Sequence, residues 1–514
     1  MENMTNIENI DPSLFTFVQD DMKLSDTKMA TKRIGYMKDA FIRFTRNKAS
    51  IAAAIIIAFL FLFAIFAPIL AKTNYTETRN DVTVQKYAKL LPKTKIGSAM
   101  GFWDGTEKID VSEGTYLRYI AFNEETNRPM VKKVYKTFTN SGAKFYKIKY
   151  DSYAGLGIFT LTITNDEYIE LQKYQDENHV QLIYPYVETS YFDQFKTQGN
   201  NYSLLKKNAN IWFETDALGT PKLDENGNYV DIYRKNAVDN YTSIMRIASD
   251  DGTFNYAKPS GSSDWEIRIS LYDYFVYRYG YEPSFVFGTD GSGYDIISRL
   301  GQGARLSFIL AIFVATINLI IGAIWGSICG YYGGTVDLIM ERVTDILGGI
   351  PFMVVTTLFQ LHLAAKVGAF PSLLFAFVTT GWMGTAGTVR MQFYRYKNSE
   401  YILAARTLGA SDFRLMYKHI FPNALGTIIT SSVLVIPGVI FSESSLTYLG
   451  IVNLESDSLT SVGTMLANGR QYLANYPHII FFPALFISLL MITFNLFGNG
   501  LRDAFNPSLR GTEE

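Results

Sequence analysis

Residues 51–71 read IAAAIIIAFLFLFAIFAPILA, an apolar run without a single charged side chain. An α-helix rises about 1.5 Å per residue, so about 20 residues cross the ~30 Å hydrocarbon core of a bilayer. A cleaved signal peptide is the competing interpretation, but its apolar region is only about 7–15 residues long and lies close to the N-terminus. Here fifty residues precede the run. The stretch therefore predicts a retained membrane-spanning helix.

Five further apolar runs follow later in the chain, at 306–329, 346–365, 371–388, 425–442 and 478–497. Several contain proline, such as Pro351, Pro437 and Pro483. Proline breaks helices in soluble proteins, but neighbouring helices re-satisfy the freed backbone groups inside a membrane bundle. Six runs of nearly spanning length predict a membrane all-α fold with six transmembrane helices.

The stretch between the first and second runs, residues 72–285, differs from the rest of the chain because it holds most of the 34 tyrosines and many charges. It predicts an inserted extracellular domain of mixed α/β or α+β class. Phe159–Ile163 alternates apolar and polar residues as a half-buried strand does, and Trp265, Ile267, Ile269 and Leu271 alternate again. Thr164 and Glu167 are spaced as a capping box for a helix that runs to about residue 176.

The predicted organisation has four parts: a basic N-terminal tail at 1–50, the first transmembrane helix at 51–71, the inserted domain at 72–285, and a five-helix core at 286–514 that carries a cytoplasmic loop at 390–423. The tyrosines between 272 and 281, just before the second run, predict an aromatic belt at the membrane surface.

Basic residues set the predicted orientation, because cytoplasmic segments of membrane proteins are enriched in Lys and Arg. Three segments carry the excess: the tail (Lys28, Lys32, Arg33, Lys38, Arg43, Arg46, Lys48), the loop (Arg390, Arg395, Lys397, Arg406, Arg414, Lys418) and the C-terminal end (Arg502, Arg510). All three agree with cytoplasmic N- and C-termini and an extracellular domain at 72–285.

The composition excludes several classes of function. The net charge of −1, from 47 basic and 48 acidic residues, argues against a nucleic-acid-binding surface. One cysteine rules out a disulfide framework or a thiolate metal cluster within the chain. No phosphate-binding G-x-x-x-x-G-K-[ST] loop, H-E-x-x-H motif or G-x-S-x-G motif occurs. We therefore expect no enzyme activity, no catalytic residue, and no metal or cofactor in this chain.

Four polar side chains fall within or near the apolar runs and are candidates for lining or gating a pathway: Gln360, His362, Glu443 and Asn495. Ionisable groups at membrane depth are costly and usually face the interior of a helix bundle. The alternative for Glu443 and His362 is solvation near the outer headgroups, and the sequence leaves both interpretations open.

The loop at residues 400–423 reads EYILAARTLGASDFRLMYKHIFPN. It predicts two short helices separated by Gly409, with Ser411 or Asp412 capping the second. The second would present Phe413, Met416 and Tyr417 at helical spacing and end at Pro422. A helix that is apolar on one side and basic on the other suits docking into a protein groove, although it would also suit a lipid surface.

This loop resembles the "EAA" loop of permease subunits of bacterial ABC importers, in which E-A-A, three residues and G precede L-P. Leu403-Ala404-Ala405, Gly409 and Phe421-Pro422 occupy those positions, with Leu403 in place of glutamate and Phe421 in place of leucine. The chain is also similar to the C subunits of oligopeptide and dipeptide permeases, whose motifs match at Gly288-Thr289-Asp290, Ser298-Arg299, Gly303-Ala304-Arg305, 330–337, 443–450 and 495–507. The resemblance covers about 36–72 and 283–510.

The resemblance implies a subunit of an ATP-driven peptide importer in a bacterial cell membrane. Its implied partners are a homologous second permease, two cytoplasmic ATPases that bind ATP and Mg²⁺, and an extracellular substrate-binding lipoprotein. It also implies that the loop couples to the ATPases through Leu403, Ala404, Ala405, Gly409, Ser411, Asp412, Phe413, Met416, Tyr417, Lys418 and Pro422. Two alternatives remain open, namely a non-transporting membrane sensor and a permease for a non-peptide cargo such as a nickel chelate.

Overall fold

Long helices form the part of the chain that the sequence assigns to the membrane. A computed structural model describes residues 36–71, 83–126, 128–184, 211–213, 225–226, 231–234, 257–261, 263–455 and 459–505. The helices are α1 (Tyr36–Arg46), α2 (Lys48–Leu70), α3 (Lys95–Met100), α4 (Glu113–Thr126), α5 (Asn165–Asn178), α6 (Leu271–Tyr279), α7 (Ile296–Tyr332), α8 (Gly334–Gly348), α9 (Phe352–His362), α10 (Ala364–Val367), α11 (Ala369–Tyr396), α12 (Glu400–Thr407), α13 (Asp412–Tyr448), α14 (Val462–Gly469) and α15 (His478–Phe505).

In the part of the chain that the structure describes, four helices are both long and apolar enough to cross a membrane: α2, α7, α13 and α15. They contain the predicted runs at 51–71, 306–329, 425–442 and 478–497, except that α2 ends one residue earlier. The run at 371–388 lies within the 28-residue helix α11. At about 1.5 Å per residue, α11 is also long enough to cross.

The run at 346–365 does not form one continuous helix. It is divided among the end of α8, α9 and α10, and α9, an apolar helix of 11 residues, is shorter than a membrane span. Pro351 precedes α9 and has no N–H to continue the helix of α8. The prediction of a single span at 346–365 is therefore wrong in detail, and the total of six spans stays a prediction.

Glycines on α7 allow it to pack closely along α11. Gly322, Gly326 and Gly330 recur every fourth residue, which places them on one face of the helix. A Cβ added at Gly322 would lie 2.7 Å from Cβ of Thr385, and one at Gly326 would lie 2.8 Å from Cβ of Val389. Small residues at this spacing bring membrane helices into backbone contact.

Helix α13 differs from the prediction that Pro422 ends a short helix. The helix continues from Asp412 to Tyr448, and residues Leu415–Ile420 form a π-helical segment just before the proline. A π segment changes the hydrogen-bonding register by one residue. Pro422 then falls in the first turn of the following α-helical segment, where an absent N–H costs little.

Antiparallel sheets and short helices lie between α2 and α7. The strands are β1 (Thr106–Ser112), β2 (Val131–Asn140), β3 (Ala143–Asp151), β4 (Ile158–Thr164), β5 (Ile183–Tyr184), β6 (Ile211–Phe213), β7 (Asp231–Arg234), β8 (Ala257–Ser260) and β9 (Asp264–Ser270). One sheet has the order β1-β3-β2, a second has β4-β9-β5 with β8 also on β9, and β6 pairs with β7. Every described pairing is antiparallel, which favours the α+β class.

Several local predictions in this α+β domain are confirmed. Strand β4 covers the alternating stretch, and Thr164 and Glu167 form a capping box at the start of α5. Strand β9 contains the second alternating stretch, but Leu271 begins α6 instead of continuing the strand.

The predicted aromatic belt is wrong for Tyr272 and Tyr274 of α6, and for the half-buried Tyr277, Tyr279 and Tyr281 it stays a prediction. Tyr272 and Tyr274 are buried inside the α+β domain. Tyr272 packs with Phe275 and Tyr153, and Tyr274 packs beside Ile269 of β9. Burial in a protein core removes these rings from a lipid surface.

The α+β domain is joined to the helices through the segment that follows α2. Thr289 Oγ1 accepts a hydrogen bond from the Leu90 amide at 2.8 Å and donates one to the Tyr87 carbonyl at 2.5 Å. Tyr153 is fully buried, and its hydroxyl donates to the Leu91 carbonyl at 2.8 Å and accepts from the Phe285 amide at 3.2 Å. The domain therefore lies at the N-terminal end of α7.

The basic segments lie at the other end of the bundle. Phe44 of α1 packs edge-on against Phe497 near the C-terminal end of α15, with ring centroids 5.3 Å apart. Tyr331, at the C-terminal end of α7, contacts the 400–423 loop through Asp412. Lys28, Lys32, Arg33 and Arg510, the Asn506-Pro507 part of the C-terminal motif, and much of 185–256 lie outside the described residues.

Candidate functional site

The 400–423 loop contains two helices separated at Gly409, as the sequence predicts, although the second is the beginning of the long helix α13. Helix α12 ends at Thr407, and Gly409 has φ +84°, a left-handed conformation that favours glycine. Ser411 has extended backbone and stands at the N-cap position, and Asp412 begins the next helix. A Cβ placed on Gly409 would meet no atom within 4 Å, so the requirement for glycine comes from the backbone alone.

Apolar side chains fix this loop against the ends of the long helices. Ile402, Leu415 and Ile420 are fully buried and pack in one cluster with Val389 and Phe393 of α11. The cluster packs the short helix α12 and the first turns of α13 against the bundle.

Tyr331 adds a polar attachment that the sequence patterns do not reveal. Its hydroxyl donates to Oδ1 of Asp412 at 2.5 Å and accepts from Nη2 of Arg406 at 3.3 Å. One side chain at the end of α7 thus holds both helices of the loop. The motif at 330–337 was the available signal, but it does not indicate which residue Tyr331 contacts.

The opposite side of the loop exposes apolar and aromatic groups. Phe413 and Tyr417 are 73% and 69% exposed, and their parallel rings stack with centroids 6.0 Å apart. Leu408 is 88% exposed and Leu403 is 45% exposed. Of the other predicted residues, Ala404, Gly409, Ser411, Asp412, Lys418 and Pro422 are exposed, and Ala405 and Met416 are half-buried. Exposed apolar groups held on a rigid support are typical of a protein-binding surface.

An ion pair beside the loop fastens α8 to α11. Arg390 Nε and Nη2 donate to the two carboxylate oxygens of Asp337, each at 2.7 Å, and the Tyr394 hydroxyl donates to Oδ2 at 2.5 Å. Hydrogen bonds from Arg390 hold the pKa of Asp337 below its usual range. This bidentate pair fixes the helix ends on the same side of the bundle as the loop.

The four polar pathway candidates lie on three different helices. Glu443 is fully buried where α7, α13 and the start of α14 meet, and it accepts hydrogen bonds from Ser307 at 2.9 Å and Thr447 at 3.3 Å. The alternative that Glu443 is solvated is therefore wrong, and its contacts join α7 to α13.

The other three candidates have different surroundings. Gln360 donates to the Ala369 carbonyl at 3.1 Å, between α9 and α11. His362 is exposed at the end of α9, and Asn495 is exposed on α15. No described hydrogen bond joins any of the four candidates to another.

A second cluster, at the N-terminal end of α7, was not predicted as a site. The Arg299 guanidinium is buried and pairs with both Asp290 and Glu455, while Asn468 donates to Glu455 at 2.7 Å. A cavity of about 260 Å³ lies beside them, also lined by Tyr472. The cluster ties together the loop before α7 and the segments on either side of residues 456–458. Within the described ranges no group of His, Cys, Asp and Glu is arranged to hold a metal ion.

Comparison with known proteins identifies two family models in the chain. Residues 35–92 match the N-terminal TM domain of oligopeptide transport permease C, and residues 322–511 match the binding-protein-dependent transport system inner membrane component. Neither match includes residues 93–321, which contain the described sheets.

Two curated relatives each align with 44% of this chain. The chain is 45% identical over 224 residues to the oligopeptide transport system permease protein OppC of Bacillus subtilis, covering 44% of this chain and 72% of that protein. It is 40% identical over 225 residues to the dipeptide transport system permease protein DppC of the same organism, covering 44% and 69%.

Among solved structures, an inward-facing MetNI methionine ABC transporter chain aligns with 40% of this chain and 94% of its own length. The identity is 12% and the TM-score is 0.32, too low to establish a shared fold. The family is shown instead by the two Bacillus subtilis proteins, because the chain covers 72% and 69% of their lengths at 45% and 40% identity. The chain is a multi-pass membrane protein that belongs to the family of oligopeptide and dipeptide transport system permease proteins.

Proposed function

We propose that this chain is a transmembrane subunit of an ATP-driven peptide importer and forms half of the translocation pathway with a homologous second permease. The observation that carries the proposal is the 400–423 loop, which is anchored through Tyr331 and presents Phe413, Tyr417 and Leu408 to a partner. The partner would be one of two cytoplasmic ATPases, which would supply ATP hydrolysis.

The positions of the charged segments support a cytoplasmic location for this loop. Helix α1, the C-terminal end of α15 and the loop lie at one end of the bundle, and the α+β domain lies at the other. Helix α1, the C-terminal end of α15 and the loop carry basic residues, and such segments are typically cytoplasmic in membrane proteins. The α+β domain would then lie outside a bacterial cell, where a substrate-binding lipoprotein delivers peptides.

Movement of the ATPases would reach the membrane through rigid contacts. Tyr331 links the loop to α7, and the loop continues directly into α13. A push on the exposed rings would shift both helices together and change which side of the membrane the pathway faces. Glu443, which joins α7 to α13 by hydrogen bonds, would move with them.

The coupling proposal is tested at Gly409. We expect Gly409→Val to abolish uptake of labelled peptides while the protein still inserts and folds, because a β-branched residue resists positive φ but meets no atom here. Gly409→Asn is the matched control, since asparagine tolerates the left-handed region and should keep most of the uptake. Normal uptake by Gly409→Val would refute the coupling role of this loop.

A deletion tests the role of the α+β domain, which we propose docks the lipoprotein or guards the pathway entrance. Thr106 and Asp151 are directly paired partners in β1 and β3, so a short Gly-Ser linker can replace residues 106–151 without separating their neighbours. We expect the shortened protein to insert normally but to lose capture of the lipoprotein or peptide uptake. Normal capture together with normal uptake would contradict a role for this sheet.

A further inference from the structure

One face of the three-stranded sheet β1-β3-β2 carries an unusual concentration of lysines. The pairing register places Lys108 opposite Lys149 and Lys149 opposite Lys133, so three lysines lie in one row across the sheet. The next row on the same face consists of Asp110, Lys147 and Lys136. We call Lys108, Lys133, Lys136, Lys147 and Lys149 the lysine face.

Few acidic groups neutralise the lysine face. Lys149 pairs with Asp104 at 2.7 Å, and Lys147 is 4.0 Å from Asp110. The ion pairs formed among the described residues do not include Lys108, Lys133 or Lys136, which are exposed. Like charges directly opposite each other in a sheet, about 5 Å apart, destabilise the pairing. An anionic partner bound to the lysine face would therefore reduce the repulsion between these lysines.

The opposite face of the sheet has a separate role. Tyr146 and Tyr150 stack on Tyr116 and Tyr119 of α4, with ring centroids 4.1 and 5.0 Å apart. Those rings form the small core of this sheet, with Ile148 fully buried among them. The lysine face is consequently the side that remains for contact with another molecule.

At the β2 edge of the sheet, the geometry favours docking on the face over addition of a strand. Strand β2 lies at the edge of the sheet, but its register shifts between Val131 and Lys133 and again between Val134 and Lys136. Bulges and lysines on an edge strand discourage pairing with another strand. The face also offers aromatic groups, since Tyr135 is 42% exposed and Phe138 stacks on Phe145 at 5.8 Å.

We propose that the lysine face docks an acidic surface of the extracellular substrate-binding lipoprotein. Complementary charge selects the partner's surface, and the aromatic rings beside the lysines suit a folded protein, because aromatic residues are enriched in protein interfaces. The inference rests on the proposed import function, and it assigns a receptor surface to a part of the chain that neither family model covers.

The test measures binding of the lipid-free lipoprotein from the same cell to the full chain in phosphatidylcholine nanodiscs. We expect Lys136→Glu to weaken binding about threefold or more, and the combined Lys133→Glu, Lys136→Glu and Lys147→Glu variant about thirtyfold, with smaller losses at 300 mM than at about 50 mM salt. Lys173→Glu, a reversal at a 72% exposed lysine of α5, should change the affinity less than about twofold.

Two further variants separate docking from folding. Arginine at positions 133, 136 and 147 should keep the affinity, because the charge is retained. Glutamine at 133 and 136 should raise the midpoint of thermal unfolding, because it removes the like-charge pairs. Unchanged affinity in the triple glutamate variant would overturn the proposal, as would binding of phosphatidylglycerol vesicles or an anionic polymer by the lysine face without binding of the lipoprotein.

Peptide uptake distinguishes this inference from the function on which it rests. If the wild-type assembly imports labelled peptides but the triple glutamate variant binds the lipoprotein normally, only the docking surface is refuted. If the wild type binds the lipoprotein through the lysine face but imports no peptide, the peptide cargo is refuted and the docking surface stands.

Discussion

At the scale of single residues, the Asp337 carboxylate holds α8 and α11 together through Arg390 and Tyr394. Asp337→Asn removes the charge that both Arg390 bonds need, and bonds to charged groups contribute about 1.5–3 kcal/mol. We expect a loss of about 2 kcal/mol in the free energy of unfolding, measured by thermal or denaturant unfolding in detergent. Asp345→Asn is the control, because its pair with Arg342 is largely exposed and should contribute below about 1 kcal/mol.

The same carboxylate sets a dependence on pH. Its pKa is lowered in the folded protein, so the stabilisation is present above the ordinary carboxyl value of 3.8 and is lost as pH falls below it. The difference in stability between wild type and Asp337→Asn should therefore shrink in acid. A constant difference between pH 7 and pH 3 would contradict the ion pair.

The pKa of Asp295 is shifted in the opposite direction to that of Asp337. Burial, reinforced by nearby Asp290, raises the pKa of this N-cap carboxyl group to about 7, although the Ile297 amide donates to it. Between pH 4 and 7 the folded protein then holds a proton that the unfolded chain releases, so stability falls as pH rises through this window. We expect the midpoint of thermal unfolding to change less with pH between pH 4 and 7 in Asp295→Asn than in the wild type. An unchanged pH profile in this variant would show that another group is responsible.

At the scale of elements, Gly326 of α7 and Gly387 of α11 have opposite surroundings. A methyl group at Gly326 would press on the backbone of Ala386 and on Val389, whereas one at Gly387 would meet no atom within 4 Å. We expect Gly326→Ala to destabilise the protein by about 1–3 kcal/mol through overpacking. Gly387→Ala should be neutral or stabilise it by up to about 1 kcal/mol, because alanine favours the helix. Equal effects in unfolding experiments would refute the close packing of α7 on α11.

Local sequence patterns predicted elements well where one short stretch contained the whole signal. Strand β4, the capping box of α5 and the positive φ of Gly409 are of this kind. The patterns failed where the residues on either side of a signal decide where a helix or strand begins or ends. Pro422 does not end its helix, because a π segment precedes it, and Leu271 starts a helix despite continuing the alternation of β9.

At the scale of the whole molecule, Tyr153 joins the α+β domain to the segments on both sides of it. Tyr153→Phe would leave the half-buried Leu91 carbonyl and the buried Phe285 amide without this partner. An unsatisfied buried polar group costs about 1–3 kcal/mol, so we expect a loss in that range and faster amide hydrogen exchange at Phe285. Tyr135→Phe, at an exposed tyrosine, should change neither quantity.

Three properties are evident from the amino-acid sequence: the apolar helices of a membrane protein, the resemblance of the loop at 400–423 to importer permeases, and an additional folded region after the first helix. The helices and the folded region are recognisable because an apolar run, an alternating strand or a change in composition is visible in contiguous residues, whereas the loop is recognised by its resemblance to a family motif. Three contacts are evident only in three dimensions: Tyr331 holds Asp412, Asp337 pairs with Arg390, and lysines line up across β1, β3 and β2. Such pairs join residues far apart in sequence, and their register is set by packing and strand pairing, which no local pattern specifies.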